Sequence, residues 1–367
     1  MIKIGIDAMG GDFAPEVAVE GAIMALKKIG PDSRVVLFGD EKRIKSLLAK
    51  HKCSADKFDI VPTTEVIEMG DHPAKAFIAK KDSSMTVGFR HLVDGKIDGF
   101  ASAGSTGAMM VGCMQVVKPI KGVIRPVIST LMPIVMNRRG LLLDVGLNVD
   151  AKPEVLAQYG LLGSIFAESV LGIKNPRVGL LNIGTESKKG TPMHVETYEL
   201  LSKSDINFIG NVEGKEVPFG KCDILVTDGF TGNVLLKTIE GMGSFFSKKL
   251  KGIFKASPVS MVSALLVKKG IDDLKKSFDA SEYGGAPFLG ISRPVIKAHG
   301  SSDARAIKNA VKQAVFYHNT GIIMDISKQA ALPEDVTVSR TRTNTVRSAP
   351  KAAESAPKAV ESDSESK

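Results

Sequence analysis

Residues 98–108 read Asp-Gly-Phe-Ala-Ser-Ala-Gly-Ser-Thr-Gly-Ala and run straight into Met109, Met110 and Val111. The pattern is that of a strand end, a tight turn and a helix start. Gly104 and Gly107 lack the Cβ atoms that would hold a ligand off, while Ser102, Ser105 and Thr106 supply hydroxyls and helix caps. The first N–H groups of a helix are unpaired and lie at the positive end of its dipole, so such a turn can cradle an anion. Close packing of the helix on a sheet would require the same small residues, and the turn alone does not separate the two readings.

Loops of similar chemistry recur along the chain. Asp7, Gly10, Gly11 and Asp12 form a glycine turn after a first β-prone run, without the spacing of a dinucleotide fingerprint. Asp144, Asn148 and Asp150 fall after another strand; a hard cation wants more oxygen ligands than these, so no metal is expected and Asp144 with Asn148 reads as positioning a substrate. The loop 184–191 carries two adjacent ammonium groups, Lys188 and Lys189, able to hold a phosphate by charge and N–H donors together. Asp228 and Asn233 repeat the Asp, Gly and Asn chemistry before a helix expected at 234–242. His72 and Lys75 stand in a polar, basic passage, 68–81, that could line an anionic site or be a solvated connection. His299, at the end of a last strand, could be catalytic or structural. In a parallel sheet the strand-end loops would all face one edge, and that convergence weighs more than any one of them.

The elements needed to place these loops alternate in type. A strand from Lys3 to Asp7 is followed by helix 16–29, strand 34–39, helix 41–50, strand 59–61 and helix 84–94, and the alternation continues to a final helix at 304–323. This predicts an α/β fold, a mainly parallel sheet with helices on both faces. The uncharged run 99–117 is long enough to span a bilayer, but its first half is glycine and hydroxyl residues and Gln115 interrupts the second, so it reads as a buried helix.

Composition narrows the function classes. With 43% hydrophobic and 24% charged residues, the chain is of ordinary globular type, and its net charge of +9 implies an anionic partner. Aromatic residues are only 5% with no Trp, which disfavours a base-stacking platform, so no nucleic acid is expected. Cys53, Cys113 and Cys222 are odd in number and lack CxxC spacing, which suggests neither a zinc site nor a disulfide framework and fits the cytoplasm. The first residues read as a folded strand rather than a signal peptide.

Six of the nine excess positive charges fall in 244–278, where eight lysines face only Asp272 and Asp273. Interleaved apolar residues, among them Phe254, Met261, Val262, Leu265 and Leu266, describe two helical segments divided by Pro258. Such helices can rest on an anionic membrane surface or dock an acidic protein; a helical hairpin packed in a dimer or on its own lobe is equally compatible. The expected organisation is therefore one domain over 1–338 containing this arm, followed by a disordered tail at 339–367, whose Ser-Ala-Pro-Lys-Ala repeats lack core-forming residues.

Taken together, Ile6-Asp7-Ala8-Met9-Gly10-Gly11-Asp12, Ala101-Ser102-Ala103-Gly104-Ser105-Thr106-Gly107-Ala108, Leu143-Asp144-Val145-Gly146, Asn211-Val212-Glu213-Gly214, Asp228-Gly229-Phe230 and Glu282-Tyr283-Gly284-Gly285-Ala286-Pro287 resemble the bacterial phosphate acyltransferases, the acyl-ACP:phosphate transacylases of phospholipid synthesis. The resemblance runs from residue 1 to about 325. It implies a fold like those of isocitrate and isopropylmalate dehydrogenases and phosphotransacetylase, a homodimer peripherally attached to the inner membrane surface, and transfer of a fatty acyl group from acyl carrier protein to inorganic phosphate without a cofactor. Three positions depart from the family pattern: Ser105 for Asn, Leu147 for Ala and Thr185 for Glu. Phosphate is already a nucleophile and a thiolate a fair leaving group, so the protein has to supply placement and charge. On this reading Gly104, Ser105, Thr106, Gly107, Lys188 and Lys189 hold phosphate, Asn148 and Asn233 orient the acyl group, and Asp144 and Asp228 fix those donors. A short-chain phosphotransacetylase using acetyl-CoA and a non-catalytic membrane scaffold are the competing expectations.

Overall fold

Short runs of Val, Ile and Leu ending in glycine or a capping residue alternate with amphipathic runs, and each becomes a strand or helix. The computed structural model describes residues 1–135, 138–278, 282 and 284–330. Its first half comprises β1 (Ile2–Asp7), α1 (Glu16–Leu26), β2 (Ser33–Gly39), α2 (Glu41–Lys50), β3 (Phe58–Pro62), α3 (Pro73–Ala79), α4 (Ser84–Val93), β4 (Gly99–Ser102), α5 (Thr106–Val111), β5 (Val127–Ile134) and β6 (Arg138–Leu143). There follow α6 (Pro153–Ser169), β7 (Val178–Asn182), α7 (Pro192–Lys203), β8 (Phe208–Glu213), β9 (Ile224–Val226), α8 (Gly229–Phe254), α9 (Pro258–Leu266), α10 (Lys268–Phe278), β10 (Ala286–Leu289), β11 (Val295–Lys297), α11 (Ala304–Thr320) and α12 (Ile322–Gln329). The expected tail and the boundary at 338 lie outside the described residues.

The strands form one sheet of 11 in the order β3-β2-β1-β4-β11-β10-β5-β6-β9-β7-β8. Neighbours from β3 to β11 are parallel, as are those from β6 to β8. Between the two blocks, β11/β10, β10/β5 and β5/β6 are antiparallel. Three reversals leave the second block running opposite to the first, so the expectation that all strand-end loops face one edge is corrected. The hint lay in the link between β5 and β6, which is far too short for the crossover that two parallel strands require.

Burial follows the strand pattern. Ile4, Ile6, Leu37 and Val35 of the first block pack with α1 and α11, while Phe38, Phe89 and Phe100 form a second cluster in which Phe89 and Phe100 ring centroids lie 5.2 Å apart. Each such ring contributes roughly 1.5–3 kcal/mol by leaving water. In the second block the buried Asp223 ties β7 to β6: Arg177 donates Nε at 2.9 Å and Arg138 donates at 2.6 Å. Burial alone would raise that carboxyl, but the Arg177 hydrogen bonds and both guanidinium charges hold it below its ordinary value.

The basic arm departs from its expected boundaries. Rather than a helix at 234–242 and a separate arm, α8 runs unbroken over 26 residues from the candidate site into the arm. Gly243 lies inside the helix, and a Cβ there would meet Phe278 of α10 at 2.7 Å, so this glycine admits packing instead of breaking the helix. The passage 68–81 likewise contains a helix, α3, opened by Pro73 at its first position.

Candidate active site

Asp7, Ser102 and Lys297 lie level with one another across β1, β4 and β11: Ile6 is in register with Ala101, and Ser102 with Lys297. Side chains at one level on adjacent strands share a face. The Asp7 carboxylate, 3% exposed, accepts from Ser102 Oγ at 2.7 Å and Ser84 Oγ at 2.6 Å. Burial pushes its carboxyl up, and these hydrogen bonds pull back. Ser102 Oγ accepts in turn from Gly104 N–H at 2.9 Å. Gly10 is needed because a Cβ would come within 2.8 Å of Gly104 N, and Gly11 holds φ at +108° against Ala103. The two glycine turns therefore sit one on the other.

This corrects part of the expected cradle. The Gly104 N–H is already donated, and Ser105 caps α5 by accepting from Ala108 N–H at 3.4 Å. The N–H groups of Thr106 and Gly107 open the helix, where no intrahelical acceptor exists. A Cβ on Gly107 would lie 2.5 Å from Pro73 Cγ, so this glycine lets α3 pack beside the start of α5. That brings exposed His72 and Lys75 to the same end, whereas Lys80 is paired with Asp71 at 2.6 Å.

At the second block's carboxyl edge, Asp144 is fully buried and accepts from Leu147 N–H at 3.1 Å, Asn148 N–H at 2.6 Å and Asn148 Nδ2 at 2.9 Å. Burial raises this carboxyl against those donors. Asn148 gives its other amide hydrogen to Pro126 O at 2.9 Å, so it has no donor left to orient an acyl group. Asp228 is also buried and caps α8 through Thr231 N–H at 2.9 Å. Asn148, expected to orient the acyl group, is thus scaffold, while Asp144 and Asp228 hold the backbone of the two loops. A Cβ on Gly232 would run into the Asp144 carbonyl, which sets how closely α8 approaches β6.

Asn233 differs from its neighbours: it is exposed, and its Nδ2 would be 2.9 Å from a Cβ on Gly146. Lys188 and Lys189 are exposed in a loop pinned from below, where Asn182 Nδ2 donates to Lys189 O at 3.0 Å and Asn211 Nδ2 to Glu186 O at 2.7 Å. His194, at the end of this loop, has its Nδ1 2.8 Å from Thr191 Oγ1, and burial lowers its affinity for a proton against the charge of Asp228. Around them Val149, Ile183, Phe230 and Val234 are each more than half exposed.

The two edges meet at His299. Its Nε2 lies 3.2 Å from Lys237 Nζ, one helical turn beyond Asn233, and its Nδ1 lies 2.8 Å from Ser301 Oγ. Burial, then the charges of Lys237 and Lys297, lower the affinity of this ring for a proton and so favour its neutral form. Leu147 joins the same apolar cluster as Met109 of α5, a second bridge between the blocks. Lys297 was not distinguished by sequence from any other strand lysine; its place two residues beyond Val295, on the same strand face, was the only signal. Among the described residues no three His, Cys, Asp or Glu side chains gather as a metal site would need.

Residues 2–324 match the family model described as fatty acid synthesis protein. The chain is 46% identical over 330 residues to the phosphate acyltransferase of Desulfitobacterium hafniense (strain Y51), covering 90% of this chain and 97% of that one. It is 47% identical over 313 residues to the phosphate acyltransferase of Geobacillus sp. (strain WCH70), covering 85% and 94%. Among solved structures it resembles a phosphotransacetylase from Streptococcus pyogenes, with a TM-score of 0.59 at 17% identity over 87% of this chain and 94% of that one. A branched-chain phosphotransacylase from Enterococcus faecalis V583 gives a TM-score of 0.54 at 14% identity over 87% and 100%. These last two likenesses concern the fold alone.

Proposed function

This chain belongs to the fatty acid synthesis protein family and is a phosphate acyltransferase by type of activity, and on that premise we propose that it moves a fatty acyl group from acyl carrier protein to inorganic phosphate, releasing acyl phosphate. The observation that carries the fatty acyl part is the exposed apolar border of Val149, Ile183, Phe230 and Val234 beside free Asn233 and the two ammonium groups of Lys188 and Lys189. An anion and a hydrocarbon chain need just these neighbours.

In this reading the phosphate sits between the start of α5 and the Lys188–Lys189 loop. One of its oxygens attacks the thioester carbonyl; the C–O bond forms, the C–S bond breaks, and the proton of hydrogen phosphate passes to the departing thiolate. Asn233 donates to the carbonyl oxygen as it gains charge. The ring of His299, whose proton affinity is lowered, carries the proton. No thiol of the chain is suited to a covalent intermediate at the two buried sites, since burial raises Cys113 and pushes Cys222 up to about 12. Palmitoyl-ACP with phosphate should yield palmitoyl phosphate and free thiol, while acetyl-CoA should react far more slowly. Equal or better use of acetyl-CoA would favour a short-chain phosphotransacetylase instead.

The arm supports a location for the product. Among the described residues no helix is long and apolar enough to cross a membrane. In α9 no residue is buried, Leu265 is 71% exposed and Leu266 84%, and lysines flank both ends. Phe254, Met261 and Leu265 also line a cavity of about 350 Å³ between α8, α9 and α10. We read this arm as resting on the anionic inner face of the membrane, the basic surface as receiving acidic acyl carrier protein, and the enzyme as a homodimer. The Leu265→Glu variant should lose flotation with anionic vesicles and keep its rate with soluble palmitoyl-ACP; undiminished flotation would remove the arm from the membrane.

A further inference from the structure

Lys297 is the only lysine or arginine among the described residues that is buried, at 8% exposed. Its ammonium donates to the carbonyl of Ala298. Backbone hydrogen bonds tie three turns together beside it. Ala298 N–H donates to Ser102 O at 2.9 Å, fastening the end of β11 to that of β4, and Asp12 N–H donates to Gly300 O at 2.9 Å, fastening it to the turn after β1. Across the strands the order is carboxylate, hydroxyl, ammonium: Asp7, Ser102, Lys297.

A buried carboxylate beside an anion site is an electrostatic liability, because it repels the ligand through a medium that screens poorly. Asp7 lies below the turn proposed to hold phosphate, and exposed Asp12 lies at its margin. Lys297 is the buried cation that feels both carboxylates. We propose that Lys297 is a positioning residue for phosphate: buried where the three turns are tied together, its ammonium offsets Asp7 and Asp12, so that the start of α5 accepts a dianion. The proposal rests on the reading of that turn as a phosphate seat.

A consequence follows for pH. The groups facing Lys297 are Asp7 from β1, Asp12 from the first turn and His299 from its own loop, with Lys237 and Glu240 of α8 beyond His299. Burial lowers the ammonium to about 8 despite the two carboxylates, so it discharges within an accessible range. Phosphate is by then a dianion, and its own ionisation adds nothing further there.

The test is phosphate binding by calorimetry from pH 7 to pH 9.5, alongside acyl phosphate formation, in the full chain carrying Cys53→Ser. Parent affinity should fall about tenfold per pH unit above the Lys297 midpoint. In a Lys297→Cys variant alkylated with bromoethylamine, which restores an isosteric amine of lower basicity, the fall should begin at lower pH. Lys297→Met should bind phosphate weakly at every pH, raise KM more than it lowers kcat, and regain affinity when combined with Asp12→Asn. If the alkylated protein keeps the parent midpoint, or Lys297→Met binds as the parent does, the assignment is wrong. Should the parent make acyl phosphate while the midpoint stays put, only Lys297 is refuted; a parent that neither binds phosphate nor makes acyl phosphate overturns both readings.

Discussion

Replacing Asn233 with alanine should lower kcat and kcat/KM together by about 10²–10³-fold, leaving the phosphate KM nearly unchanged. The reason is the contrast between the two asparagines assigned to the acyl group. Asn148 has both amide hydrogens committed, one to Asp144 and one to Pro126, and its side chain is buried. Asn233 is exposed above Gly146, whose missing side chain leaves room for the amide. A donor free in the resting protein can be spent on an oxygen that becomes charged only in the transition state. Because Asn233 is exposed, its loss should change stability by no more than about 0.5 kcal/mol. Asn148→Ala should instead destabilise the fold by about 1–3 kcal/mol, since it leaves Asp144 buried with a partner missing. Steady-state kinetics paired with thermal unfolding of both variants checks this, and full activity in Asn233→Ala would transfer the oxyanion role elsewhere.

The second large effect is expected from Lys188→Ala combined with Lys189→Ala, which should raise the phosphate KM by about tenfold to a hundredfold with a smaller change in kcat. Both ammonium groups stand in water, on a loop whose backbone is held by Asn182 and Asn211. Their removal therefore withdraws charge without loosening the support. Exposed charges are screened within about 8–10 Å at ordinary ionic strength, so the parent's phosphate KM should climb with added salt and the double variant's should respond less. Unchanged phosphate dependence would move the anion away from this loop. The pair of experiments separates holding phosphate from stabilising the reacting carbonyl, which the resemblance alone could not do.

Much of the scaffold was legible along the chain because its signals are local. The helix start after Pro15 and the glycine-bounded apolar runs each act within a few residues, and α2 begins and ends where its pattern says. The family, too, was readable, since its motifs are contiguous. Misplaced features had a different character. Gly243 inside the unbroken α8 makes room for Phe278, thirty-five positions away in sequence, and the polarity of the second block depended on counting reversals through β10 and β5.

For the site, sequence determined which residue types were present and which were neighbours in a loop: the glycine turns, the paired lysines, the Asp and Asn at strand ends. Only the tertiary structure decided which of those polar groups remain available. Hydrogen bonding is settled by what lies opposite, and so Asp7, Asp144, Asp228 and Asn148 became internal supports while Asn233 and Lys188 stayed free. The environment of Lys297 was decided in the same way, because burial and the nearness of two carboxylates come from three strands that are adjacent in the sheet and far apart in the chain.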